Sequence, residues 1–112
     1  MYAANVLSLK EEGDDTVMYL RKGSGMDGVS PYTKVTFCNA VSVDREEGLA
    51  FAMGKDEDGM FTSDKVFLYD ETYRTETGYE VHMLIQGTED LYYMTIACGE
   101  IFYEERIPES AL

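Results

Sequence analysis

The chain is poor in the residues that build most catalytic and metal sites. Among its 112 residues there are one histidine, His82, and two cysteines, Cys38 and Cys98. The two cysteines lie far apart and match no zinc-ligand spacing. A Cys-His nucleophile would need the two side chains within hydrogen-bond reach. We therefore predict no catalytic residue, no metal site, no cofactor and a role other than that of an enzyme.

Signals for export and for a membrane span are also missing. Residues 1–9 lack the basic region that opens a secretory signal. The longest apolar runs, such as residues 49–53, are too short to cross a bilayer. We therefore expect a cytoplasmic protein whose cysteines stay reduced and pack as small apolar side chains.

Basic residues are scarce as well. Nine Lys and Arg face twenty-two Asp and Glu, which gives a formal net charge of −13. Phosphates would repel such a chain, so direct binding to nucleic acid or to an anionic membrane is excluded. A basic protein surface and a divalent cation remain as partners, and acidity that only keeps the protein soluble is the alternative.

The residues that are abundant favour strands. Apolar residues make up 45% of the chain, with nine Tyr and five Phe. Apolar and polar residues alternate in segments 35–43 and 79–86, which is typical of strands with one buried face. The pattern predicts an all-β or β-dominated single acidic domain over 1–112, a small barrel or sandwich of about seven mostly antiparallel strands. We place them at 2–10, 16–22, 32–43, 49–54, 64–70, 78–87 and 91–106.

Segment 44–54 has a second interpretation, because Asp44 could cap a short helix with Glu47 three residues later. Gly48 weakens that helix.

The last hairpin can be assigned a register. If Gln86 pairs with Leu91, one face is apolar throughout, and a slip of one residue would bury charged groups. His82 then lies opposite Thr95, on the face away from Cys98. Beyond Cys98 the same alternation would turn Glu100 inward, so we predict a bulge at Gly99 that leaves Ile101 and Tyr103 facing in.

Two turn-rich segments resemble ligand loops without completing them. In residues 56–59, Asp56 and Asp58 fit two positions of a helix-loop-helix calcium loop, but Gly54 and Lys65 occupy its first and last ligand positions. Residues 22–28 contain a Gly-x-Gly-x-x-Gly spacing, but a strand is predicted next where a helix is needed. We interpret the two segments as a solvated turn and a flexible connection.

Tyrosines allow two interpretations. A binding face could be formed by Tyr69, Tyr73, Tyr92, Tyr93 and Tyr103, because Tyr is enriched at interfaces. Tyr is equally common half-buried on strands, and we favour that structural role.

The placement of the acids is the most informative feature. If the strands form a simple up-and-down meander, one end of the sheet collects most of the carboxylates. We predict an interaction surface formed by Glu11, Glu12, Asp14, Asp15, Asp44, Glu46, Glu47, Asp70, Glu71, Glu104 and Glu105.

These observations together suggest a non-enzymatic protein-interaction module. Duplex DNA about 30 Å long carries about twenty phosphates, a charge density that this domain approaches within a factor of two. Its acidic surface could mimic nucleic acid and inhibit a nucleic-acid-binding protein by occupying its basic groove. Short acidic proteins made by phages or mobile elements to block host nucleases share this profile. The alternative is a β-barrel that binds a small ligand or calcium.

Overall fold

The computed structural model describes residues 3–25 and 27–112 and is built almost entirely from strands. One turn of 3-10 helix, Glu109–Ala111, follows the last strand. The ten strands are β1 (Asn5–Glu12), β2 (Asp15–Arg21), β3 (Tyr32–Cys38), β4 (Ser42–Arg45), β5 (Gly54–Lys55), β6 (Phe61–Thr62), β7 (Val66–Thr75), β8 (Gly78–Gln86), β9 (Leu91–Cys98) and β10 (Glu100–Glu105).

Eight of the strands form two antiparallel sheets that share a narrow seam. The ladder runs in the order β10-β3-β2-β1-β7-β8-β9-β4, while β5 and β6 form a separate hairpin. Between β1 and β7 the ladder has only the Asn5–Val66 pair. We therefore call β10-β3-β2-β1 the first sheet and β7-β8-β9-β4 the second sheet.

The two sheets are also joined at the opposite corner, where two chain segments pass from one sheet to the other. Strand β3 continues into β4, and β9 continues into β10. Strand β3 pairs with β10, while β4 pairs with β9. The backbone N–H of Gly99 donates to the carbonyl of Cys38 at 2.7 Å, and that of Val41 donates to Ala97 at 2.8 Å. These bonds close the ladder into a small barrel with bent corner strands.

Alternation along the strands sorts apolar side chains into two clusters. The larger cluster fills the barrel and draws on both sheets, with Phe37, Phe67, Met18, Met83 and Met94 at 1% exposure or less. The smaller cluster lies on the outer face of the first sheet. There Leu7, Val17, Tyr19 and Tyr32 pack beneath Ile107 from the C-terminal segment, with Met60, Phe61 and Leu112 at its margin. Part of the first sheet is thus buried on both faces.

The molecule has a radius of gyration of 13.8 Å and extents of 44 × 30 × 22 Å. A compact chain of this length has a radius of about 13 Å. Within the described residues, no helix combines the length and the apolar character needed to cross a membrane.

The strand-rich fold and the register of the last hairpin are confirmed. Gln86 pairs with Leu91, Met83 with Met94 and Tyr79 with Cys98. The predicted change of face at Gly99 also occurs, because Glu100 is exposed and Ile101 packs against the core. The extra residue lies on the facing segment, since three residues, Asn39–Val41, oppose only Cys98 and Gly99. Tyr103, predicted to face in, is half exposed.

Several predicted boundaries are wrong. The strand predicted at 32–43 is broken at Asn39, whose φ of 52° interrupts it. Residues 49–53 form no strand, because Leu49 enters the barrel core as part of an irregular connection. No helix forms in 44–54, where β4 and a turn lie instead, and β7 extends to Thr75 rather than ending near 70. The predicted first strand includes Tyr2, which lies outside the described residues.

The up-and-down order is also wrong. Strand β10 leaves β9 and pairs with β3, so the last strand does not continue the meander of β7, β8 and β9. This redistribution decides where the acids lie.

Candidate protein-interaction face

The outer face of the second sheet is the one broad sheet surface that no other described segment covers with an apolar cluster. Because core residues alternate with outward ones, the four strands present a mixed polar and aromatic surface. We call it the acid–tyrosine face, and it comprises Tyr69, Glu71 and Tyr73 on β7, Glu80, His82 and Leu84 on β8, Tyr93, Thr95 and Ala97 on β9, Ser42 and Asp44 on β4, and Glu46 just after β4.

A cross-strand row runs through the middle of this face. Glu71 pairs with His82, His82 with Thr95, and Thr95 with Asp44. The Nε2 of His82 lies 2.6 Å from Oε1 of Glu80, and its Nδ1 lies 3.4 Å from Oγ1 of Thr95. The histidine is therefore held in one orientation by neighbours on both sides, with its side chain 45% exposed.

Two exposed tyrosines flank Glu71 on its own strand. The phenols of Tyr69 and Tyr73 donate to the two carboxylate oxygens of Glu71. These bonds stabilise the ionised carboxylate, so they lower the pKa of Glu71 and raise the pKa of Tyr69 to about 12. The ring of Tyr73 also meets the His82 ring edge-on, with centroids 5.3 Å apart. Glu71 thus stays negatively charged and the two tyrosines stay neutral.

At the β4 side of the face, Glu46 fixes a third tyrosine. Its backbone N–H donates to the carbonyl of Tyr93 at 3.1 Å, and its Oε2 accepts the N–H of Tyr93 at 2.7 Å. The Tyr93 side chain is 68% exposed. Asp44, Glu46, Tyr93 and Thr95 line a shallow depression of ≈ 260 Å³.

The charge of this face is of one sign. Its four carboxylates, on Glu71, Glu80, Asp44 and Glu46, have no Lys or Arg among the outward residues of the four strands, all of which the structure describes. The first sheet is different. Its outer side holds Lys10 over the Tyr19 ring at 5.2 Å, Lys34 paired with Glu104, and Arg21 bound to Asp56 at 2.6 Å. The outer side of the first sheet therefore carries both signs of charge, whereas the outward residues described for the second sheet include no Lys or Arg.

The structure divides the predicted acidic surface among several places. Asp44, Glu46 and Glu71 share the acid–tyrosine face, while exposed Glu47 follows in the adjoining turn. Glu11, Glu12 and Asp14 lie at the β1–β2 turn of the first sheet. Asp15 has a structural contact there, because its Oδ1 accepts the N–H of Asn39 at 3.0 Å and ties this turn to the barrel corner.

The remaining predicted acids lie elsewhere. Glu104 and Glu105 are on β10, and Glu105 is 3.7 Å from the ammonium of Lys22, at the end of the first sheet away from the β1–β2 turn. The expectation that they cluster with Glu11 and Glu12 is wrong, because β10 pairs with β3. Asp70 pairs with core-facing Met83 and is half-buried, so it points away from the acid–tyrosine face.

Sequence reasoning missed Glu80 and His82 as members of the site. The signal was available, since both belong to the polar half of the alternating segment 79–86. Of the candidate tyrosines, Tyr69, Tyr73 and Tyr93 reach the face. Tyr92 packs against the core instead. Tyr103 lies on β10 of the first sheet, where burial and nearby Asp70 raise its pKa.

The described residues offer little for other chemistry. Cys98 is buried in the core whereas His82 faces outward, so the two do not form a pair. Burial raises the pKa of both thiols, and Asp15 and Glu100 add to the effect at Cys38, so neither favours a thiolate nucleophile. No group of three or more His, Cys, Asp or Glu in the described chain could hold a metal ion.

The two loop-like segments serve as connections. The Oδ1 of Asp56 accepts the N–H groups of Asp58 and Met60, and its Oδ2 binds Arg21, so this carboxylate closes a turn. Residues 22–31 join β2 to β3, and the N–H of Lys22 donates to the carbonyl of Pro31. As predicted, a strand follows the glycines.

Comparison with known proteins adds no functional information. No protein-family model matches the chain, and no curated protein or solved structure gives a significant match. The functional argument therefore depends on the chemistry of the acid–tyrosine face.

Proposed function

We propose that this protein is an interaction module that binds a basic protein surface through its acid–tyrosine face. The observation that carries the proposal is the combination, on one uncovered sheet face, of four carboxylates and three exposed tyrosines with no Lys or Arg among the outward residues described. Such a face combines the long-range attraction of charge with the contact area of aromatic rings.

The tyrosines distinguish this face from an ordinary solvated surface. Tyr69, Tyr73 and Tyr93 are 46%, 51% and 68% exposed, and their strands belong to a rigid sheet. Tyr is enriched at protein interfaces because it offers a large contact area with few rotatable bonds. Its ring also attracts Arg and Lys through cation–π contacts worth about 0.5–2 kcal/mol. An arginine-bearing partner fits both the rings and the carboxylates.

Mimicry of nucleic acid is a narrower form of the same proposal. The acid–tyrosine face spans four strands, or about 14 Å between the outer two. It holds four carboxylates, far fewer than the phosphates of a duplex as long as the protein. A basic patch contacted by one or two turns of nucleic acid is therefore the partner surface that its size fits.

A ligand-binding barrel and an enzyme receive less support. The barrel interior is occupied by large side chains, among them Phe37, Phe67 and Met83. Depressions of ≈ 450 Å³ and ≈ 270 Å³ lie at turns and sheet edges instead. No observation favours a specific reaction.

The proposal is tested by comparing two variants with equal changes of charge. One neutralises the face with Asp44→Asn, Glu46→Gln, Glu71→Gln and Glu80→Gln. The control carries Glu11→Gln, Glu12→Gln, Glu57→Gln and Glu89→Gln, four exposed acids outside the face. Each immobilised protein is exposed to nuclease-treated lysate and eluted by a salt gradient, and a parallel sample is eluted with duplex DNA.

We expect basic proteins to be retained by the wild type and by the control and to be lost from the face variant. Displacement by duplex DNA would identify the partner's surface as a nucleic-acid groove. Equal losses in both variants would mean that total charge, rather than this face, governs retention, and would contradict the proposal.

A further inference from the structure

Strand β4 is one of the two outer strands of the second sheet and lacks a partner on one side. It pairs with β9 only and is the last strand in the ladder. In the part of the chain that the structure describes, no backbone hydrogen bond joins Val43 or Arg45 to a further segment. This edge borders the acid–tyrosine face, because Asp44 and Glu46 belong to both.

The register of β4 against β9 shows which backbone groups of β4 could bond to a further strand. The N–H of Glu46 donates to the carbonyl of Tyr93, so Glu46 faces β9 in the ladder. In an antiparallel pair, alternate residues direct their N–H and C=O groups to the same side. Val43 and Arg45 therefore direct theirs away from β9, toward the open side of the sheet.

We propose that β4 accepts an extended basic segment of the partner as an added strand. This inference rests on the proposed function and specifies the form of the ligand. In strand addition, main-chain hydrogen bonds supply affinity while alternate side chains enter neighbouring pockets. The depression formed by Asp44, Glu46, Tyr93 and Thr95 lies where every second side chain of the added strand would project.

Charge selects the occupant. A second copy of this chain would place its own Asp44, Glu46 and Glu47 against the same residues, and its net charge of −13 opposes self-association. Val41, which precedes β4, is 80% exposed and offers apolar contact at the same edge. A strand that alternates arginine with apolar residues matches both features.

Other strand edges are also unpaired, namely that of β10 and those of β1 and β7 beyond the pairing around Asn5 and Val66. Strand β10 begins beside the β7–β8 turn, and Arg74, Glu76 and Gly78 share a groove with Gly99, Glu100 and Ile101. Part of the β10 edge thus faces the molecule itself. Among the unpaired edges, β4 is the one beside the depression formed by Asp44, Glu46, Tyr93 and Thr95, so the added strand is assigned to β4.

The experiment uses a short peptide that alternates arginine with valine, acetylated and amidated at its ends. The control peptide has the same sequence with N-methyl groups on successive central residues, which blocks backbone pairing on both edges but keeps the charge. Binding is measured by isothermal titration, and backbone amide exchange is followed by NMR. We expect the unmethylated peptide to bind at least about tenfold more tightly, since two or more hydrogen bonds are lost on methylation. The amides of Val43 and Arg45 should become protected.

Two variants of Arg45 distinguish strand addition at β4 from binding through the acid–tyrosine face alone. Arg45→Pro removes an open-side N–H while leaving the β9 ladder intact, and Arg45→Ala removes the same side chain but keeps the N–H. We expect binding to fall roughly tenfold in Arg45→Pro and to be maintained in Arg45→Ala. Circular dichroism and thermal melts establish that both variants are folded.

If both peptides bind equally, without protection of Val43 and Arg45, strand addition is overturned while the proposed function stands. If neither peptide binds, even at low salt, both proposals fail.

Discussion

At the scale of single residues, Gly78 shows how closely two strands approach at the barrel corner. A Cβ at this position would overlap the carbonyl oxygen of Cys98 and lie 2.7 Å from the Cα of Gly99. Its φ of 152° is also one that side chains seldom adopt. Because backbone atoms are the obstacles, rotamer changes cannot relieve the overlap.

We therefore predict that Gly78→Ala lowers the free energy of unfolding by about 3 kcal/mol, at the upper end of overpacking costs. Urea denaturation measures the change. Gly54→Ala is the matched control, since nothing lies within 4 Å of a Cβ there and its backbone is not left-handed. Equal stability of the two variants would show that the corner is looser than described.

A second prediction concerns the Arg21–Asp56 pair, which holds the β5–β6 hairpin against the first sheet. The hydrogen bond from Arg21 lowers the pKa of Asp56, with further help from the N–H of Met60. A lowered folded-state pKa stabilises the protein above the unfolded-state value of about 3.9, and this contribution disappears as pH falls through the folded-state pKa.

Asp56→Asn should accordingly lower the melting temperature at pH 7, and the difference from wild type should shrink as the pH falls below the unfolded-state value of about 3.9. Thermal melts across this range provide the measurement. Glu57→Asn, at the exposed neighbouring position, serves as the control. A difference that is constant with pH would assign the effect to the shape of the side chain instead of its charge.

At the scale of elements, the C-terminal segment acts as a cover for the first sheet. Ile107 is 8% exposed and packs on the outer cluster with Leu7, Val17, Tyr19 and Tyr32. Its N–H also donates to the carbonyl of Tyr32 at 3.1 Å. The cover explains why this part of the first sheet is closed to solvent on its outer side.

We predict that Ile107→Ala costs about 2–4 kcal/mol of unfolding free energy, the usual range for a buried aliphatic side chain. Leu91→Ala, at a position that is 53% exposed, should cost much less. Chemical denaturation of both variants provides the comparison. If Ile107→Ala were as stable as Leu91→Ala, the C-terminal segment would not be a packed part of the fold.

The elements also show what sequence patterns can determine. The β8–β9 register was predictable because a slip would bury Glu80 and His82, so local alternation specifies it. The barrel corner was not, because pairing of β10 with β3 depends on segments more than sixty residues apart. Leu49 was predicted to lie in a strand. A short apolar run looks the same in the sequence whether it forms a strand or an irregular segment that packs into the core.

At the scale of the whole molecule, composition fixes the total charge, and the fold determines its distribution. Asp44, Glu46 and Glu71 were predicted as interacting acids and share the second sheet. Glu104 and Glu105 were placed with them by an assumed strand order, and the actual order moves them to the first sheet. Local alternation indicates which residues of a strand share a face. Which strand pairs with it depends instead on residues far apart in the sequence.

This distribution makes the acid–tyrosine face the functional surface that the account predicts. On the other sheet the cations Lys10, Arg21 and Lys34 are interspersed with carboxylates, among them Glu12, Asp15 and Glu104. A basic partner would therefore find acidic contacts that no Lys or Arg interrupts among the described outward residues of the second sheet.

The most direct test is an NMR titration of the isotopically labelled protein with the arginine–valine peptide, at low salt and again at about 0.5 M salt. We predict that backbone shifts at low salt concentrate on Val43, Asp44, Glu46, Tyr93 and Thr95, where the face meets the β4 edge, and that they fade as salt screens the charges. Shifts of similar size at Glu11, Glu12 and Glu57, or shifts insensitive to salt, would contradict the claim that this face is the binding surface.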